Sequence, residues 1–254
     1  MQQKTQIDSV IPASFEEAES SQIRTVSLDL ILTLGTLFSL KWFLLQFTAM
    51  WTFAGPISLL ASLGVATWCL KRNNETWKSI GFKHDTSWLK LSLWVLVALI
   101  VTTVLGNLAG GLAGSLIIPG SGVDEQAEAF MAGRFDNVPG NFPVYLYWLV
   151  ISWVIGAFTE ELLFRGFMIS RFEKVFSRLP FAIGLAILAQ ALIFGQQHMY
   201  YQGIQGLVAM TVIGIFSGMI YVFCKRRLLP LMISHGLANT VGITMMYLGS
   251  TGAG

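Results

Sequence analysis

The sequence predicts an all-α, polytopic membrane protein of about seven transmembrane helices. Two features of its composition lead to this prediction: 54% of the 254 residues are hydrophobic, and only 12% are charged. Soluble domains usually carry about 25% charged residues, and helices that face lipid cannot carry solvated charge. The third feature is the length of the apolar stretches, because a helix needs roughly 20 apolar residues to cross a hydrocarbon core.

Seven stretches have the required length and are separated by polar or turn-forming segments. They lie at about 26–48, 51–70, 89–117, 143–169, 181–198, 203–223 and 228–248. The third stretch contains small residues that suit close helix packing in a bilayer: Gly106, Gly110, Gly111 and Gly114. We therefore expect a polar N-terminal tail, 1–24, and a single transmembrane helical domain, 25–254, in which about 143–248 carries the motifs described below.

Basic residues are distributed unevenly among the predicted loops, and this sets the expected orientation. The connection 71–90, the segment 171–178 and residues 225–227 are basic, whereas the loop 118–142 is acidic with one basic residue, Arg134. The positive-inside rule then predicts a cytoplasmic N-terminus, in what we expect to be the cell (plasma) membrane. The lipid bilayer is the expected partner, and a net charge of +2 without a basic aromatic patch argues against nucleic acid.

Two adjacent glutamates and an arginine interrupt the fourth apolar stretch, in TEELLFRGF. Glu161 and Arg165 are four residues apart and lie on one helix face, so they are expected to form an ion pair. Glu160 points about 100° away from Glu161 and has no local cation. A packing network of all three residues is the alternative. Otherwise Glu160 is a candidate functional carboxylate and the other two support the helix.

Two further motifs place polar groups in apolar stretches: FGQQH, which ends at His198, and HGLAN, which runs from His235 to Asn239. Each has an ordinary structural alternative, an interfacial histidine for the first and a buried hydrogen-bonded pair for the second. Taken with Glu160 they form a hydrolytic set. A buried carboxylate can take a proton from water, imidazoles can orient that water or bind a metal, and an amide can donate to an oxyanion.

The three motifs in this order resemble the CPBP family of intramembrane proteases. Glu160-Glu161-Leu-Leu-Phe-Arg165 matches EExxxR, Phe194-Gly-Gln-Gln-His198 matches FxxxH, and His235-Gly-Leu-Ala-Asn239 matches HxxxN. The family includes type II CAAX prenyl endopeptidases and Abi-type proteins linked to bacteriocin processing and immunity.

The resemblance implies an intramembrane catalytic cavity. Glu160 would activate water, His198 and His235 would orient it, and Asn239 would stabilise the oxyanion. Glu161, Arg165 and Phe194 would support the site. Glu160, His198 and His235 are also compatible with zinc but do not require it, since HExxH is absent, and we favour a metal-free mechanism slightly.

Three functions remain in competition. The favoured one is an endopeptidase that cuts a membrane-associated protein or peptide. The alternatives are a catalytically silent scaffold or bacteriocin-immunity protein on the same fold, and a proton-coupled transporter, which the lack of a visible repeat disfavours. One difficulty remains, because His198 falls at the outer end of its span while Glu160 and His235 appear nearer the cytoplasm. We expect His198 within roughly 8 Å of Glu160, through helix tilt or an inward dip of the connection that follows.

Overall fold

The computed structural model of the protein describes residues 13–117 and 133–249, and no strand occurs in these residues. Its long helices are α1 (Ala13–Leu45), α2 (Trp51–Arg72), α3 (Trp88–Leu112), α4 (Phe142–Val175), α5 (Ala182–Phe223) and α6 (Leu229–Tyr247). α1 begins well inside the predicted polar tail 1–24. Residues 1–12 of that tail, and 118–132 of the predicted acidic loop, lie outside the described residues.

Five helices in the described part of the chain are long and apolar enough to cross a membrane. They are Glu17–Leu45, Thr48–Arg72, Trp88–Leu116, Phe142–Val175 and Ala182–Phe223. Large apolar side chains such as Ile31 and Val150 are exposed, whereas Asp29, Arg165 and Arg171 are completely buried. This inside-out distribution fits a lipid environment. The protein is a polytopic, all-α integral membrane protein, as predicted.

The seven predicted spans and these five helices differ in two places. Two predicted spans share one helix, α5, and α6, which lies within the predicted span 228–248, is not among the five. α5 contains both 181–198 and 203–223 apart from one residue, and it bends back at Gly203, whose φ of 61° and ψ of −159° suit glycine alone. The arms 182–202 and 204–223 then pack antiparallel. The Gln190 side chain of the first arm donates to the Gly214 carbonyl of the second at 2.8 Å. His198 therefore lies just before a tight turn.

The glycine-rich face of α3 packs against the second arm of α5, which confirms the predicted use of these small residues. A Cβ at Gly106 would lie 2.5 Å from Ile213, and one at Gly110 would lie 3.4 Å from Ala209. Gly114 approaches Gln205 in the same way, whereas Gly111 has no such neighbour. The spacing of four residues keeps these glycines on one face, so the backbones of α3 and α5 approach closely.

α4 departs from α-helical geometry where the two glutamates lie. Its segments Ser152–Thr159 and Glu161–Met168 are π-helical, between α-helical ends. The Glu160 amide donates to the carbonyl of Ile155, five residues back, and the Ile169 amide donates to that of Phe164. The sequence indicated an α-helix here, since hydrophobic periodicity does not detect π turns. Such turns are rare and occur frequently at functional sites.

A buried ionic cluster ties α4 to α1 and to the end of α2. Asp29, fully buried, accepts from Arg171 at 3.0 Å and from Arg72 at 2.7 Å. Arg171 also pairs with Glu75, which accepts from Lys174 at 2.8 Å. By its position near the cytoplasmic end of the first predicted span, Asp29 is expected at the membrane interface, and its partners are distant in the chain. It is instead the centre of a network that fixes the helix ends opposite the α5 turn.

Acid should loosen the connection between α2 and α3. Burial opposes ionisation of Glu75, but hydrogen bonding by Lys174 and the charge of Arg171 outweigh it and lower the pKa of Glu75. Hydrogen bonding by Arg227 lowers the pKa of Asp85. A lowered folded-state pKa stabilises the protein above the unfolded pKa of about 4, and this contribution is lost as the pH falls through the folded value.

Thermal unfolding in detergent between neutral and acidic pH measures this effect. Glu75→Gln and Asp85→Asn should lower the stability near neutral pH and flatten its decline below about pH 4. Glu19→Gln, which removes a surface pairing at 3.6 Å with Arg178, is the control and should leave the pH profile as in the wild type. An unchanged profile in the first two variants would contradict the assignment.

Candidate active site

The four predicted catalytic residues line one cavity. This cavity has a volume of about 280 Å³, and Glu160, His198, His235 and Asn239 all contribute to its wall. Glu160 lies between the two π-helical segments of α4, His198 comes from the first arm of α5, and the other two come from α6. The structure therefore brings together side chains that are far apart in the sequence.

His235 lies between the two glutamates. Its Nδ1 is 3.0 Å from Glu161 Oε1, and its Nε2 is 4.0 Å from Glu160 Oε2. The first distance is a hydrogen bond in which Nδ1–H donates to the carboxylate, and the second is too long for a direct one. Glu160 thus keeps an oxygen available to the cavity. This link between Glu161 and His235 was not apparent from the sequence, because it depends on how α4 and α6 pack.

Glu161 and Arg165 form the ion pair expected from their spacing. Arg165 Nη1 lies 3.3 Å from Glu161 Oε1, and both side chains are almost fully buried. The Arg165 guanidinium also lies over the Phe194 ring, 4.3 Å from its centre. Phe194 in turn contacts the His198 ring, with centres 4.6 Å apart. The three residues predicted to support the site therefore form a continuous layer behind it.

His198 is held in a defined orientation by its own helix. Its Nδ1 lies 2.8 Å from the Phe194 carbonyl, one turn earlier. A carbonyl oxygen only accepts, so Nδ1 carries the proton and Nε2 of the neutral ring is an acceptor. The side chain is buried and lines the cavity. His198 is consequently equipped to accept a hydrogen bond from a water molecule or substrate in the cavity.

Asn239 approaches α4 closely at Gly156. Its Nδ2 donates to the Ser152 carbonyl at 3.4 Å, and an amide nitrogen has a second hydrogen to offer. A Cβ at Gly156 would lie 2.7 Å from this nitrogen. One turn earlier on α6, a Cβ at Gly236 would lie 2.5 Å from the Trp153 ring. The glycines at these two contacts let the Asn239 amide reach the cavity.

The cavity lies in the half of the bundle that contains the start of α2 and the end of α6. Gly55, Tyr200 and Met246 line it. The basic residues of the α2 and α5 C-termini, such as Arg72 and Arg226, lie at the opposite helix ends. By the positive-inside rule, the cavity is on the side predicted to face away from the cytoplasm.

This location resolves the expected conflict over His198. The sequence analysis put Glu160 and His235 nearer the basic end and His198 at the other end. Glu160 and His235 line the same cavity as His198. Glu160 lies near the middle of the long α4, and the turn of α5 lies over the site.

A second cavity flanks the same residues. It has a volume of about 850 Å³ and lies between α3, the second arm of α5 and α6. Glu161, His235 and Asn239 line it, together with the glycine face of α3. Open space therefore borders His235 and Asn239 on two sides.

The site also contains residues that the sequence analysis did not assign to it. Lys41 and Arg134 line the first cavity, as do the neighbours Tyr200 and Tyr201. The sequence favours an aromatic interface belt for the tyrosines, and it allows Lys41 either to snorkel or to pair with another helix. Arg134 was noted only for its loop. No local pattern marks these residues, because they belong to segments outside the three motifs.

The described side chains are not arranged as a preformed zinc site. In residues 13–117 and 133–249, no group of three or more His, Cys, Asp and Glu converges to hold a metal ion. Glu161 and the Phe194 carbonyl engage Nδ1 of the two cavity histidines, an arrangement that leaves both Nε2 atoms available. The remaining nitrogens and Glu160 share the cavity without forming such a group.

Comparison with known proteins identifies the region that carries the site. Residues 142–241 match the family described as "Type II CAAX prenyl endopeptidase Rce1-like". This segment is similar to the Rce1-like family. The resemblance seen in the three motifs is thereby confirmed. The Rce1-like segment includes Glu160, His198, His235 and Asn239, whereas Lys41 and Arg134 lie outside it.

One relative extends the similarity to part of a second chain. An "Uncharacterized 24.3 kDa protein" of Escherichia coli is 28% identical over 117 residues, which cover 46% of this chain and 51% of that protein. The alignment thus spans about half the length of the curated relative. No solved structure matches. The Rce1-like assignment therefore rests on the segment from α4 to α6.

Proposed function

We propose that the protein is an intramembrane endopeptidase that hydrolyses a peptide bond of a membrane-associated protein or peptide. The observation that carries this proposal is the single cavity lined by Glu160, His198, His235 and Asn239. It combines a carboxylate, two oriented imidazoles and an amide donor, which are the groups that water-mediated peptide hydrolysis requires. Similarity of the 142–241 segment to an endopeptidase family supports the same reaction class.

The first step is attack by water. Glu160 accepts a proton from the water molecule while the water oxygen forms a bond to the peptide carbonyl carbon. That carbon becomes tetrahedral, and the carbonyl oxygen becomes an oxyanion. His198 orients the water, because its Nε2 accepts the second hydrogen. Asn239 Nδ2 donates to the oxyanion, which carries most charge in the transition state.

The second step is collapse of the tetrahedral intermediate. The carbonyl re-forms, the carbon–nitrogen bond breaks, and the proton held by Glu160 passes to the leaving nitrogen. His235 lies close enough to influence the charge on Glu160, at 4.0 Å. Glu161 fixes the His235 ring through Nδ1, and Arg165 holds Glu161. The second glutamate of the motif therefore acts through positioning and the first through chemistry.

Cleavage of a membrane-peptide library by the purified protein in vesicles tests the proposal. Wild-type protein should cut, and Glu160→Ala, His198→Ala and His235→Ala should not. Equal activity in all four proteins would reject the site, and an inactive wild type would favour the silent scaffold or immunity protein. We expect a chelator to leave the wild-type rate unchanged, and loss of activity that added zinc restores would overturn the metal-free mechanism.

Gly156→Ala should impair catalysis without impairing folding. The new methyl group would displace the Asn239 amide, since its Cβ would lie 2.7 Å from Nδ2. Loss of one oxyanion donor typically costs about 10²–10³-fold in kcat. Alanine is the better helix former by about 1 kcal/mol, so the thermal stability should not fall appreciably.

Gly64→Ala in α2 is the matched control, since nothing lies within 4 Å of a Cβ there. The control should retain wild-type kcat and KM. A Gly156→Ala protein with wild-type kcat would remove Asn239 from the mechanism. A reduced kcat with an unchanged KM would confirm that the amide acts in the transition state.

A further inference from the structure

Two cations of the cavity have no role in the proposed hydrolysis. Lys41, from the last turns of α1, and Arg134, from the segment before α4, both line it together with Glu160. Lys41 is 6% exposed, although lysine is rarely buried without a partner. Both residues lie outside the Rce1-like segment.

The two cations meet at one tyrosine. Lys41 Nζ lies 4.0 Å from the centre of the Tyr200 ring, and Arg134 Nη1 lies 3.4 Å from the Tyr200 hydroxyl. The close approach of Gly55 makes room for this hydroxyl, since a Cβ there would lie 2.8 Å from it. Both cations therefore contact the same side chain, Lys41 at the ring face of Tyr200 and Arg134 at its hydroxyl.

Neutral groups hold both cations in place. Lys41 Nζ donates to the Gln197 carbonyl at 2.8 Å and to its side-chain oxygen at 3.0 Å. Arg134 lies over the Trp148 ring, 5.2 Å from its centre. In the part of the chain that the structure describes, neither cation has a carboxylate within 4.0 Å. Arg134 Nε is buried and has no hydrogen-bond partner among the described residues.

The balance of charge in this cavity favours an anion. Lys41 and Arg134 contribute two positive charges to the lining, and Glu160 contributes one negative charge. Burying a cation without a counter-charge is costly, so an anion that enters gains both charge and hydrogen bonds. His198 is adjacent in sequence to Gln197, the residue that holds Lys41, so the anion would lie beside the reacting groups.

We propose that Lys41 and Arg134 form a carboxylate-binding subsite that selects peptides with a carboxylate close to the scissile bond. This inference rests on the proposed endopeptidase function. A peptide offers a carboxylate at its C-terminus or on an aspartate or glutamate side chain. Either would lie between the Lys41 ammonium and the Arg134 guanidinium, next to Tyr200.

Binding to an inactive protein tests the subsite separately from cleavage. In the Glu160→Gln background, the probes are fluorescent N-palmitoylated alanine peptides in phosphatidylcholine vesicles. One pair differs only in a C-terminal carboxylate or carboxamide, and the second pair, both carboxamides, differs only in an internal Glu or Gln. We expect at least one carboxylate peptide to bind about tenfold or more tightly than its neutral partner, as hydrogen bonds to charged groups imply.

Lys41→Met and Arg134→Met should each bring the ratio of the two dissociation constants within that peptide pair closer to one. Lys41→Arg should retain part of the preference, which separates loss of charge from loss of fold. Lys71→Met, an exposed lysine at the opposite end of α2, is the matched control and should retain the full preference. The pair that shows the preference identifies the source of the carboxylate.

Equal binding within both pairs would overturn the subsite, and so would a preference that persists in both methionine variants. Because the readout is binding, it is independent of whether the wild type cleaves any peptide. A clear preference in a protein without cleavage would support the subsite while rejecting the proposed hydrolysis. Cleavage by the wild type without any preference would reject the subsite alone.

Discussion

Glu160→Gln is expected to lower the rate of peptide cleavage by about 10²–10⁴-fold, the usual contribution of a general base. Glutamine keeps the size of the side chain but cannot accept a proton from water. The Glu160 side chain is only 12% exposed and lies 4.0 Å from His235 Nε2, so the substitution should leave the packing of α4 intact. Initial rates of cleavage of a library-selected peptide in vesicles measure the effect.

Glu173→Gln provides the matched control for this substitution. Glu173 lies on the same helix, faces Arg226 at 2.7 Å and is outside the cavity. Its replacement should leave the cleavage rate near that of the wild type. A Glu160→Gln protein that cleaves as fast as Glu173→Gln would remove Glu160 as the base.

Arg165→Met is expected to lower the free energy of unfolding by about 3–5 kcal/mol, because it leaves the buried Glu161 carboxylate without its guanidinium. Both partners are nearly inaccessible, at 1% and 2% side-chain exposure. Methionine preserves much of the apolar contact with Phe194. Denaturant unfolding in detergent micelles, followed by tryptophan fluorescence, measures the loss.

The double variant Glu161→Gln/Arg165→Met distinguishes an ion pair from independent packing effects. Removing both charges should cost clearly less than the sum of the single substitutions, since no unpaired charge remains buried. Arg178→Met, an exposed arginine paired at 3.6 Å, is the control and should change the stability by less than about 1 kcal/mol. Additive losses in the double variant would contradict the pairing.

Local spacing was sufficient to predict that the two glutamates face different directions. Four-residue spacing predicted the pair between Glu161 and Arg165, and the structure contains it at 3.3 Å. The same reasoning left Glu160 facing another direction, and Glu160 lines the cavity. The π-helical geometry of α4 was not predictable, because the pattern of apolar residues does not show where backbone amides bond to the carbonyl five residues back instead of four.

Tertiary packing created the rest of the site. The contact of His235 with Glu161 requires α4 and α6 to approach at Gly156 and Gly236. No sequence feature distinguishes these two glycines from the many others in the apolar stretches. The partners of Lys41 and Asp29, which are Gln197 and Arg171, lie far along the chain, so local sequence does not identify them.

The number of spans stays a prediction, since the predicted spans 181–198 and 203–223 correspond to the two antiparallel arms of α5. Composition and length predicted an all-α membrane protein, but length alone cannot tell a loop from a hairpin turn. The turn of α5 depends on the backbone of Gly203 and on packing between its two arms, such as the bond from Gln190 to Gly214. That turn carries His198 into the cavity.

The central claim is that Glu160 and His198 act as one catalytic unit on a water molecule in the cavity. Single-turnover cleavage by Glu160→Gln, by His198→Ala and by the double variant tests it most directly. When two residues act as a unit, replacing either one removes the contribution of both to the rate. The double variant should therefore be no slower than the slower single variant. Wild-type rates in both single variants, or losses that multiply in the double variant, would contradict the claim.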